Sequence, residues 1–259
     1  MPKTEDHADQ PVNHQPDIAR AAALFADPSR AHMLKALSDG RVLTATLLAA
    51  EAGVSAQTAS AHLAKLVESR LITTERRGRC RYYKLAGPEV SFAMEALAVI
   101  APPLPIKTLR ESNVAGALRR SRTCYDHLAG RLGVDLLKAL VESGALQGHD
   151  GTHDPAKTQR DRPGGYGHDV SYVLTDEGRA AMTNLGIDLG DLPPRRPLLR
   201  YCVDWSEGRH HLAGALGAAI AERLFELEWL RLGNAPRVVY LTDRGRSKLE
   251  GMFGLVLEA

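Results

Sequence analysis

Apolar residues are nearly missing from positions 1–15, which hold His, Asp and Pro instead, and such a segment cannot repay the entropy of ordering. A flexible tail is expected there. From Pro16 the pattern changes: Ile18, Ala22, Leu24 and Phe25 recur at helical spacing, and Asp27-Pro28-Ser29 supplies a cap and a proline suited to a first helical turn. A second helix carries Met33, Leu34 and Leu37 and stops at Asp39-Gly40. Thr44 opens a short third helix through Leu47, Leu48 and Ala50, ended by Gly53, and Ser55 caps a fourth, Ala56 to Ser69. Two β-prone runs follow, Leu71 to Thr74 and Cys80 to Leu85, with Gly78 in the Glu75–Arg79 connection. They predict a hairpin, a wing. Pro88 begins another helix to about Ile100, and Ala101-Pro102-Pro103-Leu104-Pro105 breaks it, opening a linker over 102–116.

Beyond the linker the chain repeats itself. Arg122-Thr123-Cys124-Tyr125-Asp126-His127-Leu128-Ala129-Gly130 matches Arg200-Tyr201-Cys202-Val203-Asp204 and, after an insertion, His211-Leu212-Ala213-Gly214. Leu174-Thr175-Asp176-Glu177-Gly178-Arg179 matches Leu241-Thr242-Asp243-Arg244-Gly245-Arg246. Each half therefore reads as R-x-C-x-D, H-L-A-G, a long helix, a β-prone run, and a Thr-capped final helix. The first half also holds a Gly/His/Asp-rich stretch, Gln147 to Asp169, too polar for core and expected to be a mobile loop whose His149, His153 and His168 are solvated rather than transient metal ligands, the alternative role for them. The fold class that follows is mainly α with small β-hairpins. A winged helix-turn-helix occupies 16–101, and an α+β effector and dimerisation domain of two similar units, set about an approximate two-fold axis, occupies 117–259.

The helix pair Thr44 to Ala52 and Ser55 to Ser69 has the plan in which the second helix enters the major groove of duplex DNA. On that helix Ala59, Leu63, Leu66 and Val67 form the core stripe, leaving Gln57, Thr58, Ser60, Ala61, His62 and Lys65 toward DNA. Gln57 and Thr58 sit where side chains reach base edges; Gln pairs with adenine and a Thr methyl touches thymine. Lys65 suits phosphate, His62 suits phosphate or a structural surface role, and Ser55 with the amides beside it forms an anion site. Arg76, Arg77, Arg79 and Arg81 lie within six residues on the wing, a strip fit for phosphate contact or minor-groove insertion.

The 259-residue chain is 44% apolar with a formal net charge of +2, so it can bury two cores but carries no basic coat, and its DNA-binding charge must be local. Three cysteines do not make a disulfide framework and fit a reducing cytosol. No run of about eighteen apolar residues occurs, which argues against a membrane partner. A cytoplasmic protein is expected.

Asp27-Pro28-Ser29-Arg30 to Leu37, Val54-Ser55-Ala56-Gln57-Thr58 to Leu66, and Leu71-Ile72 with Arg77-Gly78-Arg79 and Tyr82-Tyr83 together resemble the ArsR/SmtB family of winged-helix repressors. The resemblance covers roughly 17–100 and implies a homodimer and repression of transcription relieved by an inducer: a metal ion, a metalloid or an oxidant. The C-terminal halves resemble a long subgroup of the same regulators. The family's familiar sensor sites are missing: Thr46 to Glu51 holds no cysteine, and Pro88 to Ile100 offers only Glu89 and Glu95.

The repeat supplies another candidate, because Cys124 with His127 and Cys202 with His211 occupy corresponding places. Two sulfurs and two nitrogens suit tetrahedral zinc or cadmium, thiolates suit arsenic(III), and Asp126 and Asp204 would orient the imidazoles. Three readings stand side by side: a metal or metalloid centre, a redox-active thiol pair, and buried core residues with no sensing role. Trp205 and Trp229 would line a pocket if the effector were organic. A cysteine enzyme is disfavoured, since catalytic constellations rarely come as two near-copies in one domain. A DNA-binding scaffold with no small inducer is the remaining alternative.

Overall fold

The computed structural model describes residues 15–102 and 105–256. The tail expected at 1–15 falls, apart from Gln15, outside them.

Side-chain caps set the helix starts. Asp17 and Asp27 accept from Arg20 N and Arg30 N at 2.9 Å, opening α1 (Ile18–Phe25) and α2 (Pro28–Leu37). Thr44 and Ser55 open α3 (Ala45–Ala52) and α4 (Ala56–Glu68). Between α3 and α4, Gly53 adopts φ +64°, the left-handed conformation that lets the chain turn sharply. Met33, Leu34, Leu37, Leu48, Leu63, Leu66, Ile72 and Leu85 close one core. Val67, expected in that core, is 37% exposed, because it lies a full residue step around the helix from Leu66.

The wing is a three-stranded antiparallel sheet, in the order β1 (Leu43–Thr44), β3 (Cys80–Leu85), β2 (Ile72–Arg77). The strand expected to end at Thr74 runs on to Arg77, so the connection is only Gly78-Arg79, with Gly78 at φ +61°. Glu75 makes the extension tolerable: its carboxylate meets Arg77 at 2.6 Å and Lys84 at 3.5 Å. The helix α5 (Pro88–Ile100) packs against α2 and β3. Part of the segment read as linker is helical: α6 (Leu109–Arg120) starts at a reciprocal cap between Thr108 and Glu111.

The remainder follows the order β4 (Arg122–Cys124), β5 (His127–Ala129), α7 (Gly130–Glu142), β6 (Leu146–Gln147), β7 (Val173–Leu174), α8 (Asp176–Leu185), then β8 (Arg200–Val203), β9 (His210–Ala213), α9 (Gly214–Glu226), β10 (Leu230–Leu232), β11 (Val239–Leu241), α10 (Asp243–Phe253). Cys124 pairs across its hairpin with His127, and Cys202 pairs with His211. Thr175 and Thr242 cap α8 and α10, each accepting from a glycine amide at 3.0 Å. The helix α7 lies on β9 and α9 lies on β5, so the halves interlock around Leu132, Leu136, Leu140, Leu216, Ile220 and Leu224. Two glycines permit this approach: a Cβ at Gly133 would stand 3.4 Å from His211 Cβ, and one at Gly217 would stand 3.5 Å from His127 Cβ.

The polar stretch 147–169 has little regular structure but is packed down, contrary to the solvated loop expected. Bridges join Thr152 to Arg209, Pro163 to Val203 and Tyr166 to Cys202, and Asp161 is buried. Its polar groups are satisfied by one another and by partners on β8 and β9, Tyr201, Val203 and His210 among them, which composition does not reveal. Among the described residues no helix is long and apolar enough to cross a membrane.

Candidate functional site

Two regions carry the chemistry. On α4, Gln57, Thr58, Ala61 and Lys65 are exposed along one face beside Ser55. The Ser55 hydroxyl accepts from Thr58 N at 3.2 Å and lies 2.9 Å from Thr58 Oγ1. Ser60 is exposed, yet its hydroxyl donates to Ala56 O at 2.9 Å and is engaged by its own helix. His62 lies against the start of α2. Its Nδ1 lies 3.7 Å from the Asp27 carboxylate and its side chain is only 16% exposed, so it buttresses the α2 cap.

On the wing all four arginines are exposed, but they are not equivalent. Arg77 is held by Glu75 and lies 5.4 Å from the centre of the Tyr82 ring. Arg76 and Arg81 face each other directly across the ladder. Like charges so placed repel, and among the described residues neither they nor Arg79 form an ion pair. An anion arriving at the wing would relieve that repulsion.

The second region is the repeat cluster. Cys124, His127, Cys202 and His211 are all buried, with ligand atoms within 4.8 Å of one another. Cys202 Sγ sits 3.5 Å from His127 Nε2, linking the two halves. The His127 and His211 rings are 5.2 Å apart. Behind each imidazole stands a carboxylate: Asp126 lies 3.3 Å from His127 Nδ1, and Asp204 lies 3.3 Å from His211 Nδ1. The Asp126 contact turns His127 Nε2 toward Cys202, whereas His211 Nδ1 makes no hydrogen bond to Asp204 at that distance.

Each carboxylate is anchored in turn. Asp126 takes a forked contact from Arg196 at 2.5 and 3.0 Å. Asp204 takes the Arg122 guanidinium on both oxygens at 2.9 Å, with the amides of Gly130 and Ser206 at 2.7 and 2.9 Å. Burial pushes Asp204 up, but His211 and Arg122 outweigh it and hold the carboxyl far below the usual range. Burial likewise opposes charging of His127, yet Cys124 and Asp126 raise it to about 9. The hydrogen bond from Cys202 lowers Cys124, while burial pushes Cys202 up.

The pattern of a DNA-reading helix and charged wing agrees with comparison to known proteins. Residues 25–75 match the model of a helix-turn-helix domain. The chain is 39% identical over 236 residues, 91% of its own length and 96% of the relative's, to an uncharacterized HTH-type transcriptional regulator, YdfF of Bacillus subtilis (strain 168). This chain belongs to the HTH-type transcriptional regulators. Among solved structures it is similar to reduced HlyU from Vibrio cholerae, at 24% identity over 33% of this chain and 90% of that one with a TM-score of 0.30. It is also similar to a homodimeric winged helix-turn-helix DNA-binding domain from Mycobacterium bovis, a possible ArsR-family regulator, at 26% identity over 34% and 89% with a TM-score of 0.30.

In this HTH-type regulator the two regions meet at α5. Glu95, 2% exposed, forms an ion pair with Arg237. Arg237 Nε donates to Thr123 O at 3.0 Å, one residue from Cys124. In the sequence Glu95 reads only as a poor metal ligand, and Arg237 goes unmarked. A glutamate in an apolar helix face was the available signal, since a buried carboxylate requires a cation. The tryptophans do not share a pocket: Trp229 is core, and Trp205 lies over the Arg122 guanidinium at 4.5 Å.

Proposed function

We propose that this regulator is a homodimeric repressor of the ArsR type whose hold on operator DNA is set by a zinc-class metal ion at Cys124, His127, Cys202 and His211. The observation that carries the metal reading is the donor set itself. Two sulfurs and two imidazole nitrogens converge in a buried space, and a carboxylate stands 3.3 Å behind each imidazole. Both ring nitrogens of His211 are buried with no hydrogen-bond partner among the described residues, a costly arrangement that a metal bond would relieve at one of them. Zinc and cadmium fit S₂N₂; arsenic(III) fits less well, because the cluster offers only two thiols. The corresponding hairpins and helices of residues 122–185 and 200–253 support an internal repeat, with the metal at its junction. The ion would tie the halves together and fix β4, and with it Arg237 and the Glu95 contact on α5.

Homodimerisation is supported by the apolar surface that the winged domain leaves uncovered: Ile18 on α1 and Leu97, Val99 and Ile100 on α5 are exposed, and α1 buries no residue. Repression comes with the family resemblance. The nearness of the thiols also favours a second reading, in which peroxide takes two electrons from the pair, forming a Cys124–Cys202 disulfide with release of two waters.

The deciding experiment measures binding of metal-free, reduced full-length protein to its own promoter DNA. It is repeated with Zn(II), Cd(II), As(III) and peroxide, for the parent and Cys124→Ser/Cys202→Ser. A tenfold or larger change in affinity with Zn(II) or Cd(II), lost in the double variant, is expected. A response to peroxide alone selects the disulfide reading, and DNA binding indifferent to every addition overturns both.

A further inference from the structure

His210 and His211 are consecutive on β9, and side chains of consecutive strand residues point to opposite faces. His211 faces the thiols. His210 faces the other way, into a separate group formed with the 147–169 segment, where its ring stacks on Tyr201 at 4.2 Å and on His149 at 5.2 Å. There His153, Asp161 and His210 bring one ligand atom each within 4.8 Å of the others.

We propose that His153, Asp161 and His210 form a second metal site, for a divalent cation of the zinc class, which fastens the 147–169 segment to β9. It goes beyond the thiol–imidazole reading and shares no residue with it.

One buried nitrogen lacks a partner that a cation would supply, and a buried carboxylate beside it keeps an open acceptor direction. The His210 side chain is fully buried, its Nδ1 lies 2.8 Å from the Tyr172 hydroxyl, and its Nε2 has no hydrogen-bond partner among the described residues. Asp161 is 1% exposed. Its oxygens accept from the amides of His168 and Asp169 at 2.6 and 3.1 Å and from the Tyr201 hydroxyl at 2.6 Å. No Lys or Arg among the described residues pairs with it. A carboxylate has about four acceptor positions, so these three donors leave one direction open. His153 completes the set from the half-buried rim, with its Nδ1 3.2 Å from Thr158 Oγ1, which leaves Nε2 as the ligating atom.

Two imidazoles and one carboxylate suit Zn(II), Co(II) or Ni(II), and three protein ligands leave a coordination position for water. The segment so held reaches the DNA-binding domain: the Tyr166 ring lies 4.1 Å from Phe92 of α5, and a Cβ at Gly164 would come within 2.8 Å of the Glu95 carbonyl. Filling this site therefore fixes how α5 is covered.

The test titrates metal-free full-length protein with Co(II), whose spectrum distinguishes thiolate from nitrogen–oxygen coordination. The parent is expected to take up one equivalent with a thiolate-to-metal band and one without. His153→Ala and Asp161→Asn should each lose only the equivalent without that band, and Cys124→Ser/Cys202→Ser should lose only the other. Because His153 is partly exposed, its removal leaves the core intact even if Asp161→Asn fails to fold. A parent that binds no equivalent lacking the thiolate band overturns the proposal, as does retention of that equivalent in His153→Ala.

Discussion

Arg122 and Asp204 come from different halves of the C-terminal region, and one guanidinium nitrogen, Nη2, donates to both carboxylate oxygens at 2.9 Å with neither side chain more than 1% exposed. Asp204 in turn stands against His211. A stability feature and the proposed metal centre thus share a residue, so variants must be chosen to separate them.

Removing Asp204 would leave Arg122 charged and buried. Asp204→Ala is expected to lower unfolding free energy by about 3–5 kcal/mol, the usual consequence of stranding one member of a buried pair. Urea denaturation of the metal-free protein measures it. A loss below about 1 kcal/mol would show that water reaches Arg122 and that the pair is not sealed.

Asp126 allows the cleaner test of imidazole orientation, because its own partner, Arg196, is half-buried and can turn to solvent. Asp126→Asn should keep the fold and weaken zinc binding by about 10–100-fold. Competition against a chelator gives the ratio. Unchanged affinity would mean that His127 is held by packing alone.

Gly133 and Gly217 should resist substitution although both lie in helices, where alanine ordinarily gains about 1 kcal/mol over glycine. A Cβ would stand 2.5 Å from Leu128 O at the first and 2.7 Å from Leu212 O at the second. Gly133→Ala and Gly217→Ala are expected to cost about 1–3 kcal/mol and to disturb metal binding together, since each crowds the histidine of the opposite half. Thermal unfolding and zinc affinity, measured on the same samples, check the linkage.

On the wing, Arg76→Ala and Arg81→Ala should each weaken binding to every duplex and reduce the salt slope by about 0.9 for each phosphate no longer neutralised. Arg77→Ala should do less, since Glu75 already holds that guanidinium. Gln57→Ala should instead alter sequence preference at constant slope. Fluorescence titrations at several salt concentrations distinguish the outcomes. Equal slopes for Arg76→Ala and the parent would remove the wing from the interface.

Local chemistry made the winged unit legible: Asp27, Thr44 and Ser55 cap where their side chains allow, and Gly53 turns where only glycine turns freely. The two-residue strand β1 was not legible, because Leu43-Thr44 has no alternation long enough to read and exists only through pairing with Tyr83 and Tyr82. The thiol–imidazole cluster could be picked out because the chain states it twice. The burial of Asp161 could not, since Tyr201 is distant in sequence and a charged residue in a polar stretch reads the same whether solvated or matched; Glu95, in an apolar helix, gave a cue to burial but none to Arg237 as its partner. For His210 a cue existed: two adjacent histidines in a strand must face opposite ways, so one of them had to belong elsewhere.

The interlocking of α7 on β9 and α9 on β5 makes each half supply what the other lacks, as subunits of a dimer do. A chain severed in the 190–197 connection would therefore leave two fragments, each carrying one thiol and one imidazole of the cluster, neither able to cover its own hairpin. Their reunion would behave as an association reaction with a concentration dependence, and the ion would act as its glue.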